Sequence, residues 1–329
     1  ICIRKFHIMP ILNRTSPLFK QNDDTGFGIG SSNGQRFVNR DGTFNVRREG
    51  GSALNRYSIY NYLLSISTGK FILIILTAFF LINLSFTAIY LAMGSRQFAG
   101  IEGNNLWEHA VELFFFSTQT FTTVGYGRIN PVGFIANLAA ALEALSGLMS
   151  FALMTGLIYG RFAKPRANLL FSDIAVVAPY RGITGLMFRL VSSKEFHSLT
   201  DLSVKVNVGL QVMEDDKPVY KFFDLELERN RVDSLPMNFT VVHPINEKSP
   251  LWNMNEADME TADVELYVLV RAYDDVYSAT VQQRTSYIFK EIKHGVKFVP
   301  MYHESADGSI TIIEMDKLNE TKSVENVGS

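Results

Sequence analysis

The chain has 329 residues, room for two or three domains, and its 31 basic and 33 acidic side chains leave a net charge of −2. That balance gives no electrostatic reason to expect a nucleic-acid partner. Cys2 is the only cysteine, which excludes an intrachain disulfide and fits a cytoplasmic or bacterial-type protein.

Residues 1–56 are rich in Arg, Asn, Gly and Ser without sustained periodicity, and read as a mostly irregular cytoplasmic N-terminal arm. Arg4 and Lys5 are basic, but Pro10 and Arg14 interrupt any apolar run, so the first residues do not read as a signal peptide. Whether Ile1 is the native start is open. Gly26, Gly28 and Gly30 invite comparison with a phosphate loop. No strand pattern precedes them and no helix pattern follows, so a flexible linker is expected.

Between 57 and 69 the character changes. Ile59, Tyr60, Leu63 and Leu64 share one helical face, with Asn61, Ser65 and Thr68 on another. This predicts a short amphipathic helix lying along the membrane interface; the alternative is the first turns of the span that follows. Phe71 to Met93 holds no ionisable residue, and Ile135 to Tyr159 holds only Glu143. Each is long enough to cross a hydrocarbon core about 30 Å thick, and backbone groups without water partners require both to be helices. Residues 70–166 therefore read as a two-span domain of a cell-membrane protein. Lys70, Arg161, Lys164 and Arg166 flank the outer ends of the pair, which predicts that both termini are cytoplasmic.

From about 168 the apolar period switches to two. Leu202, Val204, Val206, Val208, Leu210 and Val212 alternate with polar residues or glycine, and Val264, Leu266, Val268 and Val270 repeat the pattern. Residues 167–315 are expected to form an immunoglobulin-like, antiparallel β-sandwich, with 316–329 a flexible tail. The fold class is thus α + β: a two-helix membrane domain and a β-rich soluble domain.

Between the spans, Trp107 to Gln119 has helical length and leads into Thr122-Thr123-Val124-Gly125-Tyr126-Gly127. Thr123 to Gly127 spell TVGYG, the pattern of a potassium selectivity filter. A dehydrated potassium ion needs rings of oxygen, and backbone carbonyls of Thr123, Val124, Gly125 and Tyr126 from four subunits could supply them. Gly125 and Gly127 permit backbone angles that a Cβ disfavours. The Thr123 hydroxyl can add an innermost ring, with Val124 and Tyr126 packing behind.

Further stretches resemble the inward-rectifier potassium channels, the prokaryotic members most closely. They are Ala152 to Arg166, Leu170-Phe-Ser-Asp, Leu186 to Leu190, Thr240 to Leu251 and Arg284 to Ile292. The resemblance runs from about 57 to 313 and lacks the external cysteine pair of animal members. It implies a homotetramer that passes potassium as its permeant ion and needs no cofactor. It also implies a cavity and gate face at Phe151, Thr155 and Tyr159. Phe151 stands where strong rectifiers place an acid. Tyr159 matches a helix-bundle constriction, the other reading being an interfacial belt tyrosine. Gly147 and Gly156 permit bending or close packing, with packing preferred for Gly156. Gln119 replaces a filter-supporting glutamate, and Glu143 is either a structural partner behind the filter or an ion-attracting charge. Arg161, Lys164 and Arg166 either set topology or bind anionic lipid headgroups. Ser278 to Thr280 matches a pore-narrowing loop but lacks its usual glycine, which puts a second gate there in doubt.

No Arg-rich helix precedes the spans, so a voltage sensor is excluded. A nucleotide- or calcium-gated two-span channel would show alternating strands and helices after the pore, and 168–313 do not. A membrane-anchored β-sandwich sensor would not need TVGYG. His197, His243, His294 and His303 lack metal-ligand spacing and no nucleophile–base arrangement is apparent, so an enzyme is not expected.

Overall fold

The structure, a computed structural model, describes residues 36–47, 58–165, 167–195, 198–214 and 217–324. Gly26, Gly28, Gly30, Arg166 and His197 lie outside them. The chain divides into two compact units, one spanning Glu49–Lys164 and the other joining the residues up to Arg48 to those from Pro165 onward.

In the first unit, α1 (Ile59–Ser65) begins at Ser58, whose hydroxyl accepts from the Asn61 backbone N–H. Next comes α2 (Thr68–Met93), a short strand β1 (Phe98–Ala99) and α3 (Leu106–Phe121). Strand β2 (Asn130–Pro131) pairs antiparallel with β1, and α4 (Phe134–Phe162) completes the unit. The 26 and 29 residues of α2 and α4 give lengths of about 39 and 44 Å, and both helices are apolar enough to cross a membrane. Their outward faces are largely apolar, as a hydrocarbon surround requires. Tyr90, Phe98 and Phe116 stack edge-on at centroid distances of 5.2–5.6 Å, joining α2, β1 and α3 in an aromatic knot with Leu113 and Ala136.

The second unit is a two-sheet sandwich. Its strands in chain order are β3 (Leu169–Phe171), β4 (Ala175–Tyr180), β5 (Ile183–Ser192), β6 (Leu199–Glu214) and β7 (Lys217–Leu225). Then follow β8 (Arg231–Ser234), β9 (Phe239–Ile245), the helix α5 (Glu256–Thr261), β10 (Glu265–Asp274) and β11 (Ala279–Ile288). Smaller strands close the domain: β12 (Ile292–His294), β13 (Val296–Phe298), β14 (Tyr302–Glu304), β15 (Thr311–Ile313) and β16 (Thr321–Ser323). One sheet runs β11-β10-β6-β7 with β8 also on β6, the other β12-β4-β5-β3 with β9 also on β5. The pairings are antiparallel except β12 with β4. Even-numbered residues of β6 (Leu202, Val204, Val206, Val208) meet Val177, Leu186, Phe188 and Leu190 of the facing sheet in one core. Each such side chain contributes roughly 1.5–3 kcal/mol by leaving water.

Two segments differ from their sequence reading. The arm is expected to be irregular, yet residues 36–47 dock on the sandwich. Val38 is buried against Tyr220, Phe222 and Tyr267, and the backbone N–H groups of Phe37 and Val38 donate to the Glu265 carboxylate at 3.2 and 3.4 Å. Tyr267 Oη donates to the same carboxylate at 2.9 Å. Burial pushes the Glu265 carboxyl above its ordinary range, while these donors pull the other way. Arg36 pairs with Glu291 and donates to Ser286, and Arg40 bridges Glu291 and Asp173 at 2.9 Å each. The tail differs too. Leu318 is buried with Val191 and Met301, and β16 pairs with β13, so the chain stays attached through Val324. Both contacts are long-range, which explains why local sequence pattern does not reveal them.

Candidate functional site

Helix α3 starts at Asn105, whose side chain accepts from the Glu108 N–H at 2.9 Å. At its other end the Gln119 carbonyl accepts from the backbone N–H groups of Val124 (2.9 Å) and Gly125 (3.3 Å). Gln119 therefore meets the TVGYG segment through its main chain. Beyond the helix, Thr123, Gly125 and Gly127 have φ of +61°, +54° and +81°. Val124 and Tyr126 between them do not. Alternating hands turn successive carbonyls toward a common side, whereas a regular strand alternates them. An added Cβ at Gly125 or Gly127 meets nothing within 4 Å, so the backbone angle, not crowding, demands glycine there. In the single chain Val124 is half-exposed at 52% and Tyr126 is 81% exposed.

Glu143 is fully buried on α4. Tyr90 Oη of α2 donates to one of its carboxylate oxygens at 2.5 Å, and Ser117 of α3 hydrogen-bonds to the other. The Ser117 hydroxyl also lies 3.0 Å from Asn83 Oδ1, and Thr87 donates to the Asn83 carbonyl at 2.7 Å. One carboxylate thus joins both spans to the helix that carries TVGYG. Four residues on, an added Cβ at Gly147 would sit 1.9 Å from the Phe121 carbonyl. Close approach of α4 to the end of α3 is the reason for glycine there. Gly156 has open space around it, so packing within the chain does not account for that glycine. Asn83, Thr87 and Tyr90 were not singled out from sequence. Their i, i+4, i+7 spacing in an otherwise apolar span is the signal that could have found them.

A second polar knot was also missed. Arg128, directly after TVGYG, pairs with Glu112 of α3 at 2.7 Å and Glu102 at 3.3 Å. Glu112 accepts from the N–H groups of Glu102 and Gly103 as well. An arginine after the motif and an acid two helical turns before Gln119 were its only sequence traces.

Phe151, Thr155 and Tyr159 share one face of α4 and are all exposed in the single chain, Phe151 at 64% and Tyr159 at 73%. Arg161 is engaged elsewhere. Its guanidinium donates to the Leu63 and Ile66 carbonyls at the end of α1 (2.6 and 2.9 Å) and lies 4.5 Å from the centre of the Phe71 ring. Those carbonyls are among the unpaired acceptors every helix C-terminus presents, and a cation there also suits the helix dipole. Lys164 is exposed. Ser278 lies in the β10–β11 turn, where Asp274 accepts from the Val276 and Tyr277 N–H groups, and Ala279 and Thr280 open β11 opposite Asp274 and Tyr273. Ser278 adopts φ +48°, the hand a glycine would take without strain. Among the described residues no group of His, Cys, Asp and Glu could hold a metal ion.

Residues 69–164 match an ion-channel family profile, and residues 169–328 match the inward rectifier potassium channel C-terminal domain. Together with the two spans and the intervening helix, these matches define a membrane ion channel with a β-rich C-terminal domain. The chain is 31% identical to the inward rectifier potassium channel Kirbac3.1 of Paramagnetospirillum magnetotacticum over 83% of its own length and 91% of that relative. It is 30% identical to the ATP-sensitive inward rectifier potassium channel 12 of Gallus gallus, over 59% of this chain and 47% of the relative. It is also 30% identical to the human inward rectifier potassium channel 18, over 58% and 46%. The chain belongs to the inward rectifier potassium channel family, a family of ion channels and not of enzymes.

Proposed function

We propose that four copies of the chain surround one axis and pass potassium passively along it. The carbonyl oxygens of Thr123, Val124, Gly125 and Tyr126 and the Thr123 hydroxyl would be the potassium ligands, with Gly127 closing the outer end. The alternating backbone hands at 123, 125 and 127, directly after a helix between two spans, carry this reading. Exposure of Val124 and Tyr126 in the single chain supports assembly, because neighbouring copies would cover them. Residues 70–166 form the pore, and the β domain with both termini lies on the cytoplasmic side. Tracer flux into liposomes tests the reading: potassium should enter and sodium should not, and equal entry would overturn it.

Phe151, Thr155 and Tyr159 then line the cavity, and a ring of four Tyr159 side chains closes the helix bundle by dewetting. With no acid at 151, block by internal polyamines is weak. Phe151→Asp places four carboxylates about one axis, and block should strengthen at least roughly tenfold. Unchanged block in recordings of the variant would remove Phe151 from the cavity.

Anionic lipid is the proposed modulator, acting on α1 and the basic residues after α4. Lys164 and Arg166 are the headgroup candidates, whereas the contacts of Arg161 support a latch between α1 and α4. A basic residue near an anionic surface is worth about 1 kcal/mol, and only a difference between open and closed states shifts gating. Neutralising Lys164 and Arg166 together should change the dependence of flux on anionic lipid by roughly five- to thirtyfold. Arg161→Gln should alter flux in neutral and anionic vesicles alike, and an effect confined to anionic vesicles would return it to the headgroup set.

A further inference from the structure

Residues 128–132, directly after TVGYG, are each tied down. Arg128 pairs with Glu112 and Glu102, and its carbonyl faces Gly100, where an added Cβ would sit 1.9 Å from that oxygen. Ile129 packs against the aromatic knot of Tyr90, Phe98 and Phe116. Asn130 and Pro131 of β2 lie opposite Ala99 and Phe98 of β1. The Pro131 carbonyl accepts from Asn137 Nδ2 at 3.0 Å, and the Val132 N–H donates to the Gln97 carbonyl at 2.8 Å.

Strand pairing uses only the backbone of Asn130, which leaves its side chain for another purpose. Nδ2 donates to the Gly127 carbonyl at 2.7 Å, three residues back. A carbonyl acceptor requires the amide nitrogen, not the amide oxygen, on that side. Gly127, at φ +81°, is the last residue of TVGYG, so the amide meets the outermost carbonyl of the proposed filter. Both residues are exposed in the single chain. A carbonyl oxygen has two lone pairs, and Asn130 occupies one of them. Carbonyl ligands hold an ion by their number and field strength, so a donor on one of them weakens its grip.

We infer that Asn130 is a positioning residue that loosens the hold of the outer mouth on potassium. The inference rests on conduction through TVGYG, as proposed above, and adds control of ion affinity at one end of that path. One amide from each of four copies keeps the outer carbonyls from gripping the ion at full strength. Conduction needs such release, because a site that binds too tightly stalls the ions behind it. The pairing of Arg128 with Glu112 and Glu102 fixes the far side of the peptide plane that carries the Gly127 carbonyl. Removing the amide therefore changes the field on the ion, while the carbonyl keeps its direction.

The test records single channels of the purified full chain in planar bilayers, with potassium varied on one side at a time. Asn130→Ala should lower the external potassium concentration for half-maximal current roughly three- to tenfold, and leave the internal one within about twofold. Selectivity for potassium over sodium should not change. A merely structural loss would instead lower maximal current or selectivity, whichever side is varied. An external half-saturation that stays the same or rises overturns the inference. Where Asn130→Ala does not assemble, Asn130→Asp keeps the size and loses the donor. It is read in concentrated N-methylglucamine chloride, which screens its charge, and the same fall is expected and the same constancy overturns. Equal passage of sodium and potassium by the parent protein would overturn the conduction reading and this inference with it. A selective parent beside an unmoved half-saturation overturns this inference alone.

Discussion

Gly125→Ala is expected to abolish discrimination between potassium and sodium while leaving an assembled protein. Gly125 sits at φ +54°, and its neighbours leave space for a methyl group, so the penalty is conformational. A left-handed angle costs a residue with a Cβ roughly 1–2 kcal/mol, and four copies about one axis multiply it to roughly 4–8 kcal/mol. Relaxation of that strain rotates the Gly125 carbonyl out of the proposed ring. Tenfold in selectivity corresponds to about 1.4 kcal/mol, so loss of at least one of those decades is expected. Paired potassium and sodium flux assays on size-selected tetramer measure it, and retained selectivity would refute the filter assignment. Ala at Gly156, where no left-handed angle is recorded and no atom crowds the site, serves as the control.

Glu143→Ala is expected to destabilise the assembled channel by about 2–4 kcal/mol. The hydroxyls of Tyr90 and Ser117 lose their shared acceptor in a fully buried site, Ser117 keeping Asn83 while Tyr90 is orphaned, and an orphaned buried polar group costs about 1–3 kcal/mol. Interhelical hydrogen bonds in membranes are worth less, roughly 0.6–2 kcal/mol, which sets the lower end. Glu143→Gln offers an oxygen to Tyr90 and an amide to the Ser117 oxygen, so it should keep most of the stability. The two variants also separate the two sequence readings of this residue. A structural partner tolerates glutamine with flux intact. An ion-attracting charge does not, so a large fall in potassium flux in a stable Glu143→Gln protein would reject the structural role.

The spans, the TVGYG segment and the sandwich face of β6 are legible in the sequence because each rests on a local period or a contiguous word. Register and partner choice are not local. The alternation Leu202–Val212 announces a strand, yet nothing in it states that Ser203 would face Arg231 on one side and Arg271 on the other. Glu143 stands out as a lone charge in a span, while its partners Tyr90 and Ser117 lie 53 and 26 residues away. Arg161 shows the converse. Its place in the last turn of an apolar helix suggests either a topology signal or a headgroup ligand, but its guanidinium donates to the carbonyls at the end of α1. The docked segment 36–47 reads as irregular because its order comes from Glu265, Ser286 and Glu291, more than 220 residues later.

That separation sets an order of events during synthesis. Arg36 leaves the ribosome 250 residues before Ser286, its hydrogen-bond partner on β11. At about 5–20 residues per second the interval is roughly 12–50 s, within which both spans must enter the bilayer. For most of it Val38 has no Tyr220 or Tyr267 to cover it, since these follow it by 182 and 229 residues. The nascent segment must stay soluble by its own composition, and Arg36, Arg40 and Asp41 beside the apolar Phe37 and Val38 serve that need. The sandwich can close its core before the segment returns, but Glu265 gains its two backbone donors only afterwards. Docking of residues 36–47 therefore cannot be completed until β10 and β11 have been synthesised.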